Sequence, residues 1–109
     1  MAFKVQHAPT FKVKFPISIA GDGGEPWLIE AEFHYWNKSK VRAFFAELVA
    51  SGKEDTEALP RILVGWSEAD VGQPYSAAAL TELLDEFPAA AADFFGAFRR
   101  ELLESKRKN

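Results

Sequence analysis

Two stretches of strict alternation between apolar and polar residues limit the fold of this chain more than any other feature. Residues 11–19 (FKVKFPISI) and residues 27–35 (WLIEAEFHY) carry an apolar side chain at every odd position. A period of two is typical of a β-strand with one buried face. The glycine-rich segment at 21–26 (GDGGEP) lies between them and has the composition of a turn. We therefore predict an antiparallel β-hairpin over about residues 10–36.

The register of this hairpin must keep odd residues opposite odd residues, because a slip of one position turns every side chain to the other face. We predict that Ile17 lies opposite Ile29 and that Lys14 lies opposite Glu32. Pro16 has no N–H to donate, so the first strand is predicted to lie at an edge of the sheet. A hairpin alone is marginally stable in water, so its apolar face must pack on the elements that follow.

After residue 37 the apolar residues recur at i, i+3, i+4 and i+7, which is typical of amphipathic helices. We predict four helices, at about 38–51, 56–66, 76–87 and 88–106. Asn37 or Ser39 is the expected N-cap of the first helix, and Ser76 that of the third. Gly52 is expected to stop the first helix, and Pro88 separates the last two.

The predicted fold class is α+β, with an N-terminal antiparallel hairpin packed against about four α-helices. Residues 3–7 (FKVQH) are a candidate third strand. The chain has 109 residues, of which 48% are hydrophobic and 27% charged, as in an ordinary globular protein. We expect a single domain over residues 1–109.

Composition makes several classes of function improbable. The formal net charge of −3 offers no long-range attraction for phosphate backbones, so nucleic acid is a disfavoured partner. The absence of cysteine excludes disulfides and thiolate chemistry. No stretch of 18 apolar residues is present, so we predict no membrane partner and a cytoplasmic location.

The segment 65–76 (GWSEADVGQPYS) contains two carboxylates, Glu68 and Asp70, that are candidates for acid–base catalysis. Nothing around them indicates desolvation, so solvated turn carboxylates are favoured over an acid–base pair. The only histidines, His7 and His34, are far apart and lack a third ligand type at metal spacing. We predict no catalytic residue, no cofactor and no metal. A small enzyme using Glu68, Asp70 or His34 is the disfavoured alternative.

The aromatic content is high, with ten Phe, three Trp and two Tyr. Leu28 and Trp36 fall on the polar side of the second strand, where alternation gives them no place in the core. Either helices cover both faces of the hairpin, or these residues form an apolar patch for a partner. The first interpretation is favoured about two to one, since scattered exposed apolar residues are common, and both stay open at this point.

The segment 61–98 resembles the tail assembly chaperones of long-tailed bacteriophages. The resemblance is carried by an aliphatic run ending at Gly65–Trp66, a short polar loop, the residues Pro74–Tyr75–Ser76, and a leucine-rich helix ending at Phe87–Pro88. It extends over residues 10–109, including the strand pair and its glycine-rich turn. Pro60 is a departure, since it makes the helix before Gly65 shorter than the pattern.

The resemblance implies a non-catalytic cytoplasmic factor that binds the tape-measure protein and helps to recruit tail-tube subunits. A structural tail-completion component of the virion is the alternative, and self-association is left open. We expect Trp66 to be a buried anchor in a helix-to-helix bend shaped by Gly72 and Pro74. The residues predicted to contact a partner are Leu28, Trp36, Trp66, Tyr75, Phe94 and Phe98.

Overall fold

The computed structural model describes residues 8–19, 21, 26–52 and 54–104. It confirms an α+β fold with an N-terminal hairpin. In chain order the elements are β1 (Thr10–Ile17), β2 (Trp27–His34), α1 (Lys38–Ser51), α2 (Asp55–Ala58), a 3-10 helix (Leu59–Arg61), β3 (Leu63–Trp66), α3 (Glu68–Val71), α4 (Ala77–Glu86) and α5 (Ala90–Leu103). His7 and most of the predicted turn, residues 22–25, lie outside the described residues.

The sheet is antiparallel, and its strand order is β1-β2-β3. β1 therefore lies at an edge, as the position of Pro16 predicted. The predicted register was wrong by two residues, since Ile17 pairs with Trp27 and Lys14 pairs with Glu30. Alternation specifies only which face a side chain occupies, and a shift of two residues keeps every side chain on its face.

The predicted helix at 56–66 is wrong in its second half, because residues 63–66 form β3. Only α2 and the 3-10 helix, which contains Pro60, are helical. β3 pairs with β2 through Gly65 opposite Glu32, and the register is irregular between Glu32 and Phe33. The third strand of the sheet is thus supplied by residues 63–66, and the alternative third strand at 3–7 lies outside the described residues.

The helices α1, α4 and α5 agree with the sequence prediction, whereas the short helix α3 was not predicted. The Asn37 side chain caps α1 by accepting a hydrogen bond from the N–H of Lys40, and Gly52 ends the helix with a left-handed φ of 64°. The hydroxyl of Ser76 caps α4 by accepting from the N–H of Ala79 at 3.0 Å. α5 is described as far as Leu103, and the predicted last residues, 105–106, lie outside the described part.

The core lies between the odd-numbered face of the hairpin and the helices. Phe15 and Phe33 contact the rings of Phe94 and Phe98 on α5, with centroid distances of 5.1 Å for Phe15–Phe94 and 5.5 Å for Phe33–Phe98. Each fully buried Phe contributes about 1.5–3 kcal/mol relative to exposure. The even-numbered face of the hairpin points away from this core.

A polar clasp joins the end of β1 to α5. The N–H of Ser18 donates to Asp93 Oδ2 at 2.7 Å, and its hydroxyl donates to Asp93 Oδ1 at 3.0 Å. One carboxylate therefore satisfies two donors just after the strand ends. The clasp holds the edge of the sheet against the helix that supplies most of its aromatic packing.

Candidate protein-contact surface

The even-numbered residues of the hairpin form a surface that we call the outer sheet face. Five of its residues are exposed and two, the glutamates, are half-buried. Its members are Lys12, Lys14, Pro16, Leu28, Glu30, Glu32 and His34. In the described part of the chain most of this face is exposed to solvent, because the core is on the opposite side.

Charges on the outer sheet face are arranged in two adjacent rows. Lys12 lies opposite Glu32, and Lys14 lies opposite Glu30. The N–H of Tyr35 donates to the carbonyl of Pro9, so the odd-numbered residues of β1 and β2 form the hydrogen-bonded pairs. The even-numbered residues form the non-hydrogen-bonded pairs, whose side chains lie closer together. A row of two cations on β1 thus runs beside a row of two anions on β2.

Leu28 provides an apolar end to this surface. It lies opposite Pro16, and half of its surface (50%) is exposed. Of the two interpretations of the leftover apolar residues, exposure is therefore the outcome for Leu28. A leucine in this position gives a partner an apolar contact beside a charged strip.

Trp36 lies beyond the end of β2 and packs on the helical side of the molecule, so it is not part of the outer sheet face. Its ring lies 5.4 Å from Phe44 and 5.7 Å from Phe98, and the Lys40 ammonium lies 4.5 Å from the ring centroid. Phe94 and Phe98 have no exposed surface at all. The folded chain therefore offers a partner no surface of these two rings, and their prediction as contact residues is wrong.

The segment 65–76 joins a strand to a helix, and the expected helix-to-helix bend is wrong. Trp66, at the end of β3, is half-buried and meets Tyr75 edge to face at 5.0 Å. The indole N–H of Trp66 donates to the carbonyl of Gln73 at 2.8 Å. Gly72 makes the turn with a φ of 99°, as predicted. Partial burial raises the pKa of the Tyr75 phenol above its usual value.

Asp70 attaches this segment to the sheet. Its carboxylate accepts the N–H of Glu30 at 3.0 Å, and its main-chain carbonyl accepts the indole N–H of Trp27 at 2.9 Å. The N–H of Ser67 donates to the carbonyl of Glu30 at 2.9 Å. The segment therefore continues the hydrogen bonding along β2 beyond the end of β3. Sequence reasoning missed this role for Asp70.

Comparison with protein families identifies the family of this chain. The model of the phage tail assembly chaperone family matches residues 1–109, the whole chain. This chain belongs to that family. Searches of curated proteins and of solved structures give no significant match. Family membership confirms the resemblance that residues 61–98 indicate.

Two clefts of the chaperone are lined mostly by residues with polar side chains. One of about 460 Å³ is open to solvent, and it is lined by Glu54, Asp55, Thr56, Thr81, Leu84 and Asp85. A smaller one of about 100 Å³ is lined by Lys12, Glu30, Ala31, Glu32, Trp66 and Ser67, which brings the indole next to the outer sheet face. Within residues 8–19, 21, 26–52 and 54–104 no three His, Asp or Glu residues are grouped as metal ligands.

Two exposed apolar residues of the chaperone escaped the sequence prediction. Val49 on α1 is 85% exposed, and its position outside the apolar stripe of that helix is a signal that was available. Val64 is exposed on β3, and the assignment of a helix there concealed it. None of the helices in the described part of the chaperone has the length and apolarity needed to cross a membrane.

Proposed function

We propose that this chaperone binds the tape-measure protein through the outer sheet face and thereby assists the assembly of the tail tube. Binding is non-catalytic, and it takes place in the cytoplasm of the bacterial host. The observation that carries the proposal is the half-exposed Leu28 at the end of an open, charged sheet face in a tail assembly chaperone.

The geometry of the outer sheet face suits a helical partner. A helix with its side chains is about 10–12 Å across, and two neighbouring strands with their side chains form a surface of similar width. An apolar residue of the partner helix would pack on Leu28 and Pro16. The neighbouring rows of lysine and glutamate would orient a helix that carries opposite charges, since complementary charges contribute specificity more than affinity.

The strength expected from this surface suits a temporary contact. Covering the exposed half of one leucine contributes only about 1 kcal/mol, and each exposed ion pair adds about 0.2–1 kcal/mol. Trp66, at the margin of the face, adds a half-buried indole for contact. A modest interface of this kind releases its partner when tail-tube subunits compete for the same length of tape-measure protein.

Co-expression with the tape-measure protein of the same phage tests the proposal. The chaperone should keep the tape-measure protein soluble and should co-purify with it, and Leu28→Glu should abolish both effects. Val49→Glu is the matched control, because Val49 is an exposed aliphatic residue on a helix outside the sheet. Both variants should have the circular dichroism spectrum of the parent.

The possible outcomes distinguish an error in the contact surface from an error in the identity of the partner. Loss of co-purification in Val49→Glu, with retention in Leu28→Glu, would move the contact from the sheet to α1. A parent protein that never co-purifies with the tape-measure protein would refute the partner itself. Mass spectrometry of purified mature particles tests the tail-completion alternative, because an assembly factor should be missing from them.

A further inference from the structure

We infer that the chaperone has a second contact site, at the outer edge of β1, which accepts an extended acidic segment of another protein as an added strand. The site comprises residues 10–14, the first half of β1. It uses the backbone edge of the sheet, whereas the proposed tape-measure contact uses side chains of its face. The inference therefore does not depend on the proposed function.

Backbone direction identifies the groups that are available. The hydrogen bond from Tyr35 N–H to the Pro9 carbonyl shows that odd residues of β1 direct their amides towards β2. Thr10, Lys12 and Lys14 therefore direct their N–H and C=O groups away from β2, along the edge. Among the described residues these outward groups have no hydrogen-bond partner. Such a row of groups is the template on which a partner strand adds.

The second half of the same edge is closed. Pro16 stands where the next outward N–H would be, and a proline has none to offer. The following outward N–H, that of Ser18, donates to Asp93 of α5 at 2.7 Å. These two features restrict an added strand to the stretch from Thr10 to Lys14.

The burial of the inward side chains changes at the same place. Phe15 and Ile17 are buried, with 2% and 3% of their surface exposed, whereas Phe11 and Val13 are only half-buried. Phe11 belongs to the core margin, since its ring lies 6.2 Å from that of Phe98. A strand beside residues 10–14 would cover Phe11 and Val13 with its own alternate apolar side chains. The outward backbone groups and the partly uncovered apolar side chains thus lie in the same stretch, residues 10–14.

The charge of the β1 edge indicates which kind of strand would bind to it. Lys12 and Lys14 are exposed on the outer side of this stretch. A second copy of β1 added antiparallel to the first would set lysine against lysine, which is destabilising. A strand with acidic residues at alternate positions would continue the alternation that already places Glu30 and Glu32 on the other side of the lysines. The expected partner segment therefore alternates acidic and apolar residues over about five positions.

Amide hydrogen exchange, followed by NMR on the full chain, provides the test. The probe is a synthetic peptide that alternates valine and glutamate. Without peptide, the amides of Lys12 and Lys14 should exchange fast and that of Val13 slowly. With peptide, Lys12 and Lys14 should become protected. A peptide that alternates valine and lysine should bind at least about tenfold more weakly, because its charges repel the edge.

Two variants isolate the contribution of the backbone. Lys12→Pro removes an outward N–H and leaves the ladder between β1 and β2 intact, whereas Lys12→Thr removes the same charge and keeps the N–H. Lys12→Pro should bind the acidic peptide about tenfold more weakly than Lys12→Thr, as expected for the loss of one hydrogen bond and its strand geometry. Slow exchange at Val13 in both variants verifies that the hairpin has folded.

Four results would overturn the inference. One is failure of the acidic peptide to protect Lys12 and Lys14, and another is equal binding by the proline and threonine variants. A third is protection of both amides in the free protein that disappears on dilution, which would show that a second copy occupies the edge. The last is protection in the free protein that disappears when residues 1–7 are deleted, which would assign the edge to the chain itself.

Discussion

Replacing Asp70 with alanine tests whether one side chain holds the segment 65–76 to the sheet. The Asp70 carboxylate accepts the N–H of Glu30 at 3.0 Å in a partly buried position. A hydrogen bond to a charged group contributes about 1.5–3 kcal/mol, and water replaces part of this where the site is half open. We therefore expect Asp70→Ala to lower the free energy of unfolding by about 2 kcal/mol. Asp70→Asn keeps an acceptor oxygen and should lose about 1 kcal/mol.

Equilibrium urea unfolding and a thermal melt measure this change. For a chain of about this size, 2 kcal/mol lowers Tm by roughly 8–16 °C. Glu68→Ala is the matched control, since Glu68 is an exposed carboxylate on the same short helix. It should change the free energy of unfolding by less than about 0.5 kcal/mol.

An Asp70→Ala protein as stable as the parent would refute a stabilising role of the Asp70 carboxylate between α3 and β2, since the main-chain hydrogen bonds of Ser67 and Asp70 remain in the variant. The same variant bears on the disfavoured enzymatic alternative. A hydrolytic activity lost in Asp70→Ala at unchanged stability would identify the carboxylate as an acid or base instead. The two roles therefore give opposite results when unfolding and activity are measured on the same sample.

Two further substitutions test the packing. Trp66→Ala should cost about 2 kcal/mol in a urea titration, because the indole is only partly buried; a loss of about 3–5 kcal/mol, typical of a fully buried ring, would show that Trp66 is in the core. Phe94→Ala should cost about 3–5 kcal/mol, because its ring has no exposed surface. If Phe94→Ala keeps the unfolding midpoint of the parent and loses only a partner, the ring is a contact residue.

The hairpin was predictable because two runs of alternation leave a single assignment of faces. The caps at Asn37, Gly52 and Ser76 were predictable because each depends on neighbours within four residues. The pairing register was not, since a shift from Ile17–Ile29 to Ile17–Trp27 leaves the same side chains on each face. Local rules thus found the elements and left their relative positions open.

The errors concern interactions between distant parts of the chain. Leu59, Ile62 and Leu63 satisfy a helical period, yet pairing with β2 converts residues 63–66 to a strand. Asp70 was assigned to a solvated turn because its partner, the N–H of Glu30, is 40 positions away. Alternation placed Leu28 on the polar side of β2, but the favoured interpretation, with helices over both faces, was wrong for Leu28 because alternation cannot show which face the helices cover.

The clasp between Ser18 and Asp93 has a consequence for the newborn polypeptide. Its two halves are 75 residues apart, and ribosomes add about 5–20 residues each second. The apolar face of the hairpin is therefore synthesised roughly 4–15 s before α5, the helix that covers it. During that interval the apolar face of this tail assembly chaperone is itself open to premature association with other chains.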